Sequence, residues 1–252
     1  MAPRSAPALS DAEMAYPALQ YAGVSKTFGR QAALSNIDLS IEAGVGTALV
    51  GVNGAGKSTL LRVTLDLIGI DSGQISIFGI SHRQPRARIP IAYLPERFVP
   101  PHYVTGREFL QTLLSLHEAR FDSELALTEC TALELDLQAL DRPVREYSKG
   151  MIQKLGLVAC VLAQRKLLLL DEPMSGLDPL AHQLCRQRLA ALKDQGVSLF
   201  FSTHSLVDVG LLCERMVVVH RGQVIFNDTL SELRNQTNED DLSRAFLQLI
   251  RH

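Results

Sequence analysis

"TALVGVNGAGKSTLLRVTLDLIG", residues 47–69, runs from an apolar segment through a glycine-rich one into a stretch with apolar residues three and four apart. It reads as strand, loop and helix, the opening unit of a parallel α/β sheet. Inside it, "GVNGAGKST" has the spacing G-x-x-x-x-G-K-[ST] of a phosphate-binding loop, in the strand-to-helix context that the chemistry requires. Glycines let backbone N–H groups wrap phosphate oxygens without side-chain clashes, and the following helix presents its positive end. On this reading Gly51, Val52, Asn53, Gly54, Ala55, Gly56, Lys57, Ser58 and Thr59 surround the phosphates of a nucleotide. Lys57 pairs with the β- and γ-phosphates, and the Ser58 hydroxyl binds Mg²⁺.

Downstream, "KLLLLDEP" and "GVSLFFSTHS" are short apolar runs of the buried-strand kind, separated by a polar helix through Arg188. The first ends in Asp171 and Glu172, where open α/β sheets place their ligands. One carboxylate can hold Mg²⁺ through water while its neighbour polarises an attacking water. His204 follows the second run. A lone histidine is more often structural, but a strand-end position argues for a polar contact with the γ-phosphate.

Elsewhere, Leu19 to Ile41 alternates in short runs broken at Gly29 and Arg30, a small antiparallel β region, and "SGQISIFGI" reads as one further strand. Between Pro95 and about Ala163 the spacing turns helical, as in "GREFLQTLLSLHEARF" and "SELALTECTALELDL", a lobe inserted into the sheet. "RMVVVHRGQVIFND" reads as a hairpin turning at Arg221 and Gly222, and "DDLSRAFLQLIRH" as a surface or contact helix. Residues 1 to 17, rich in Ala and Pro, read as a flexible tail.

With 46% hydrophobic and 21% charged residues the composition is that of an ordinary globular domain. A net charge of −2 without a block of like charge argues against a generic nucleic-acid binder. The apolar runs fall short of the roughly 18 to 20 residues that span a bilayer. Cys130, Cys160, Cys185 and Cys213 are isolated and suggest no zinc site.

The ordered set "GVNGAGKST", "YSKGMIQ", "LLLLDEP", "SGLD" and "STHS" resembles the nucleotide-binding subunit of an ATP-binding-cassette (ABC) transporter, over about residues 19 to 235. The resemblance implies an α/β fold: a P-loop NTPase core with a parallel sheet, an N-terminal antiparallel β region and an inserted helical subdomain at about 96–163. The cassette would cover 18–235, followed by a C-terminal helix at 236–252. In this family the stretch beginning "LSGGQ" caps the γ-phosphate bound to the opposite subunit, which assigns Ser148, Lys149, Gly150 and Met151 to that role. Tyr147 replaces Leu, Lys149 and Met151 depart from the pattern, and Gln153 follows two places later. The variant "SKGM" resembles the type-2 exporters.

By the same resemblance Phe28 stacks on adenine, Asp178 belongs to the loop after the acidic strand, and Glu172 and His204 are catalytic. Glu96 in "AYLPERF" stands where most members have a glutamine that senses Mg²⁺ and contacts the membrane subunit, so Ser58, Glu96 and Asp171 are the metal candidates. The implied cofactors are ATP and Mg²⁺. The implied partners are a second ATP-binding subunit, expected to be identical, and an integral membrane permease that would hold this chain at the cytoplasmic face of the inner membrane, with no nucleic acid. A soluble non-transport ATPase of the same superfamily is the alternative. Its two-cassette and coiled-coil forms fit poorly with one cassette and a lobe of about ninety residues between Ser58 and Ser148. A small-molecule kinase has no use for "YSKGM" or "SGLD".

Overall fold

Alternating burial shapes the first hairpin. β1 (Leu19–Phe28) and β2 (Gln31–Ile41) pair antiparallel from Leu19↔Ile41 to Phe28↔Gln31 around Gly29 and Arg30, with Leu34, Ile37, Leu39 and Ile41 turned inward. The computed structural model describes residues 16–251, so the expected tail at 1–17 lies, apart from Tyr16 and Pro17, outside the described residues. β3 (Gly46–Val50) leads through the glycine-rich loop into α1 (Lys57–Thr64).

"SGQISIFGI" is not one strand but two. β4 (Ser72–Ile77) and β5 (Ile80–Ser81) form a hairpin whose turn, Phe78 and Gly79, has φ of 45° and 77°. Two consecutive positive φ values give the tight turn whose twist matches a hairpin, so the chain reverses where the apolar pattern alone continues. Both strands join the antiparallel sheet, in order β2-β1-β4-β5.

After β6 (Ile91–Leu94) come the helices α2 (Gly106–Leu116), α3 (Ser123–Ala132) and α4 (Lys149–Leu162). Their starts are set by side-chain caps: Thr105 and Glu108 form a reciprocal capping box, Asp122 accepts from Glu124 and Leu125 N–H, and Ser148 accepts from Met151 N–H. α3 ends at Ala132, earlier than its apolar spacing predicts, because the chain turns at Glu134 (φ 49°) and continues as short 3-10 turns at Leu137–Asp141 and Val144–Glu146.

β7 (Leu167–Asp171), α5 (Pro179–Asp194), β8 (Ser198–Thr203), α6 (Leu206–Leu212), β9 (Arg215–His220), β10 (Gln223–Thr229), α7 (Leu230–Thr237) and α8 (Leu242–Arg251) complete the described chain. β9 and β10 form the predicted hairpin, with positive φ at Arg221 and Gly222. The second sheet has the order β10-β9-β3-β8-β7-β6, and every neighbouring pair except β9/β10 is parallel.

β3, β7 and β8 are buried at every position because each face of the sheet meets a different core. Leu49, Leu169 and Phe200 pack with Ile75, Ile77, Leu60 and Leu61, whereas Ala48, Val50, Leu168, Leu170, Leu199 and Phe201 pack with the helical residues Leu110, Leu155 and Val158. Period-two alternation within continuous apolar runs thus serves two layers at once. The four cysteines are free and buried. Burial raises the thiol of Cys130 to about 11 and those of Cys160 and Cys185 to about 12, which suppresses the thiolate form. Among the described residues no helix is long and apolar enough to cross a membrane.

Candidate nucleotide site

In the sheet order β3-β8-β7-β6, parallel strands deliver their C-terminal ends to one edge. The glycine-rich loop leaves β3, His204 follows β8, Asp171 and Glu172 end β7, and Glu96 follows β6. Residues separated by more than a hundred positions are neighbours here because the register Asp171↔Ser202 and Val50↔Thr203 aligns the strand ends.

The loop depends on glycine through close backbone approach. A Cβ at Gly56 would lie 2.5 Å from the Ala33 carbonyl oxygen, at φ 114°, and one at Gly51 would collide with the Val219 carbonyl. Neither obstacle is a flexible side chain. Gly56 is the cap of α1 without any side-chain hydrogen bond, so the N–H groups of the first helical turn point out of the loop uncapped. Lys57 is nearly buried, and its Nζ donates to the Gly51 carbonyl at 2.6 Å and to that of Val52 at 3.4 Å. The ammonium therefore sits inside the loop's own curve.

A cleft of about 430 Å³ is lined by Phe28, Asn53 to Thr59, Glu96 and Glu172, together with Gln31 and Ala33. An adjoining one of about 450 Å³ is lined by Val50 to Asn53, Glu96, Glu172, Ser175, His204, Leu206 and Phe246. Phe28, at the end of β1, is half exposed, and the Lys26 ammonium lies 5.4 Å from its ring centre. Phe246 comes from α8, which buries Ala245 and packs the partly buried Leu242, Phe246, Leu249 and Ile250 against the core. The sequence left that helix as surface or contact, and only its amphipathic spacing hinted that it packs back onto the domain.

Glu172 lies at φ 49°, a left-handed conformation uncommon for a side-chain-bearing residue. Its Oε2 lies 2.8 Å from His204 Nδ1, within hydrogen-bond distance. The His204 ring is mostly exposed, the Glu172 carboxylate mostly covered. Asp171 is fully buried and lines neither cleft. Its Oδ1 accepts from Ser202 Oγ at 2.6 Å, and the same Oγ accepts from Glu172 N–H at 2.9 Å. Ser202 thus ties the two acidic residues to β8. Nothing in the sequence marked it except its place in "FFSTHS".

Asp171 Oδ2 is buried without a hydrogen-bond partner, an acceptor suited to a hydrated cation. Among the described residues no group of three or more His, Cys, Asp or Glu could hold a metal alone. A Mg²⁺ ion here would need phosphate oxygens and water to complete its shell, with Ser58 and Glu96 from the cleft wall and Asp171 through water.

The remaining candidates lie elsewhere. Ser148, Lys149, Gly150 and Met151 stand at the start of α4 and line neither cleft. Within the chain the Ser148 hydroxyl caps its own helix through Met151 N–H at 3.2 Å, and the Lys149 stem lies over Gly176. Asp178 caps α5, and the backbone N–H of Ala181 holds its carboxyl below the usual range. The nine loop residues, Phe28, Glu96, Glu172 and His204 thus meet at one edge, while the signature residues and Asp178 do not.

Residues 34–175 match the family described as ABC transporter. The chain belongs to the ABC transporter family. An uncharacterized ABC transporter ATP-binding protein of Synechocystis is 34% identical over 206 residues, covering 79% of this chain and 57% of the relative. The ABC chain described here therefore spans little more than half the length of that relative. The lantibiotic transport ATP-binding protein SrtF of Streptococcus pyogenes is 30% identical over 230 residues, 86% of this chain and 96% of SrtF. A solved ATP-binding subunit of an ABC transporter superposes with a TM-score of 0.80 at 29% identity, covering 92% of this chain and 98% of the other. The ABC cassette fold is thus shared with that subunit.

Proposed function

We propose that this chain binds Mg·ATP in the cleft beside its phosphate loop and pairs with a second copy of itself around two nucleotides. Held at the cytoplasmic face of the inner membrane, it drives a separate integral membrane permease by hydrolysis, in the direction of export. Nucleic acid has no part in this reading, in keeping with the net charge of −2. The single observation that carries it is a division of the chemistry. The loop, Glu96 and Glu172 share one cleft, whereas the phosphate-capping residues Ser148 to Met151 line no part of it.

In the reaction the loop N–H groups and Lys57 bind and orient the phosphates. Mg²⁺ held by Ser58, Asp171 and Glu96 would supply neutralisation of phosphate charge. Glu172 accepts the proton of the attacking water. His204 Nδ1 is hydrogen-bonded to Glu172 Oε2, which helps to fix the carboxylate. A second copy brings the α4 N-terminus, with the Ser148 hydroxyl and Gly150 amide, against the phosphates from the far side and excludes water.

The test uses the full chain. ATPase activity should rise faster than linearly with protein concentration. Chains carrying Ser148→Arg and chains carrying Lys57→Ala, each inactive alone, should partly restore activity when mixed, since one composite site stays intact. Strictly linear activity with no recovery in the mixture would mean a self-contained monomeric site.

A further inference from the structure

Glu172 is in a backbone conformation that needs outside support. Its φ of 49° lies in the left-handed region, and the next residue is Pro173, which presses the preceding residue toward extended backbone. Such a residue is strained and persists only where its surroundings hold it. The segment has three holds. Glu172 N–H donates to Ser202 Oγ at 2.9 Å, and the Glu172 carbonyl accepts from Ser175 N–H at 3.0 Å. The Pro173 carbonyl accepts from Gln153 Nε2 at 2.8 Å.

The third hold is unlike the others because it comes from a different part of the molecule. Ser202 is on the adjacent strand and Ser175 in the same turn, but Gln153 is on α4, two residues after the signature residues. It is a polar side chain only 6% exposed on a helix whose other buried residues are apolar or glycine. Burying an amide there costs free energy unless it is bonded. Apolar packing would fill the same space without that cost, so the bond to Pro173 is what the amide supplies.

We propose that Gln153 is a positioning residue for Glu172: from the buried face of the signature helix its amide fixes the peptide that follows the base, and so aims the carboxylate at the attacking water. The inference rests on the hydrolytic role proposed for Glu172. Gln153 lines neither cleft, and it acts on the barrier rather than on binding.

The experiment compares the full-length chain with Gln153→Met, which keeps the side chain's length and lacks the donor, and with Gln153→Leu. Turnover should fall about tenfold, the effect expected when a buried carbonyl loses its donor, with the ATP dissociation constant and KM unchanged within about twofold. Turnover within twofold of the parent in either folded variant overturns the proposal. So does a loss of affinity parallel to the loss of rate, which would mark Gln153 as a support of the whole domain. Glu172→Gln is measured beside them. If it hydrolyses ATP normally, the base role fails and this inference with it; if it is inactive while Gln153→Met is normal, only the inference fails.

Discussion

The C-terminal edge of the parallel sheet and the N-terminal end of α4 both present groups suited to phosphate, yet the chain treats them differently. At the sheet edge the groups meet one another: Ser202 joins Asp171 to Glu172, Glu172 joins His204, and Glu96 shares their cleft. At the helix end, the Ser148 hydroxyl turns to its own helix and Lys149 lies over Gly176. The lesson is topological. Parallel strands bring distant residues to one place without a partner, whereas a helix N-terminus on an inserted lobe offers N–H groups to whatever approaches from outside.

The sharpest way to break this contrast is at the sheet edge. Glu172→Gln keeps the shape of the side chain and removes its ability to accept a proton, so hydrolysis should slow by about 10²-fold or more while Mg·ATP still binds. Steady-state ATPase and a nucleotide titration on the same protein read both quantities. Retained turnover would move the base to another residue.

A smaller effect is expected where the lobe is fastened to the core. Arg188 on α5 grips Glu129 on α3 with two bonds, of 2.6 and 2.7 Å, and Glu129 is almost wholly buried. Arg188→Ala leaves that carboxylate without its partner and should cost about 3 kcal/mol of unfolding free energy. Urea unfolding measures it; a change below about 0.5 kcal/mol would mean that water compensates the pair and that the lobe is held by apolar packing.

The smallest effect belongs to Glu96, which lines both clefts. Glu96→Gln keeps an oxygen available to a cation or its water, so hydrolysis should change by less than roughly tenfold. In proteoliposomes with the proposed permease, Glu96→Ala should reduce transport by a larger factor than ATPase. Equal reductions would confine Glu96 to the metal and remove it from signalling to the membrane partner.

Much of the fold was legible because local chemistry and global position agree. The run "TALVGVNGAGKSTLL" specifies strand, loop and helix residue by residue, and "LLLLDEP" and "FFSTHS" announce buried strands ending in polar groups. Less was legible where one pattern fits two structures. The apolar alternation of "SGQISIFGI" does not reveal that Phe78 and Gly79 reverse the chain, and the helical spacing after Ala132 does not show that Glu134 turns it aside. Burial of Gln153, the bridging hydroxyl of Ser202 and the presence of Phe246 at the cleft all depend on contacts between segments far apart in sequence.

The sequence by itself determined the candidates for touching phosphate: a glycine-rich loop, a lysine, and acids and a histidine at strand ends. These follow from spacing and residue type, which are local. Only the tertiary structure decided how they are held. Strand order set β8 between β3 and β7, so that Ser202 reaches both acids and His204 reaches Glu172. The packing of α4 against the core brought Gln153 to the Pro173 carbonyl. Hydrogen bonds need donor and acceptor within about 3 Å, and no property of a single stretch of chain fixes which distant stretch will lie that close.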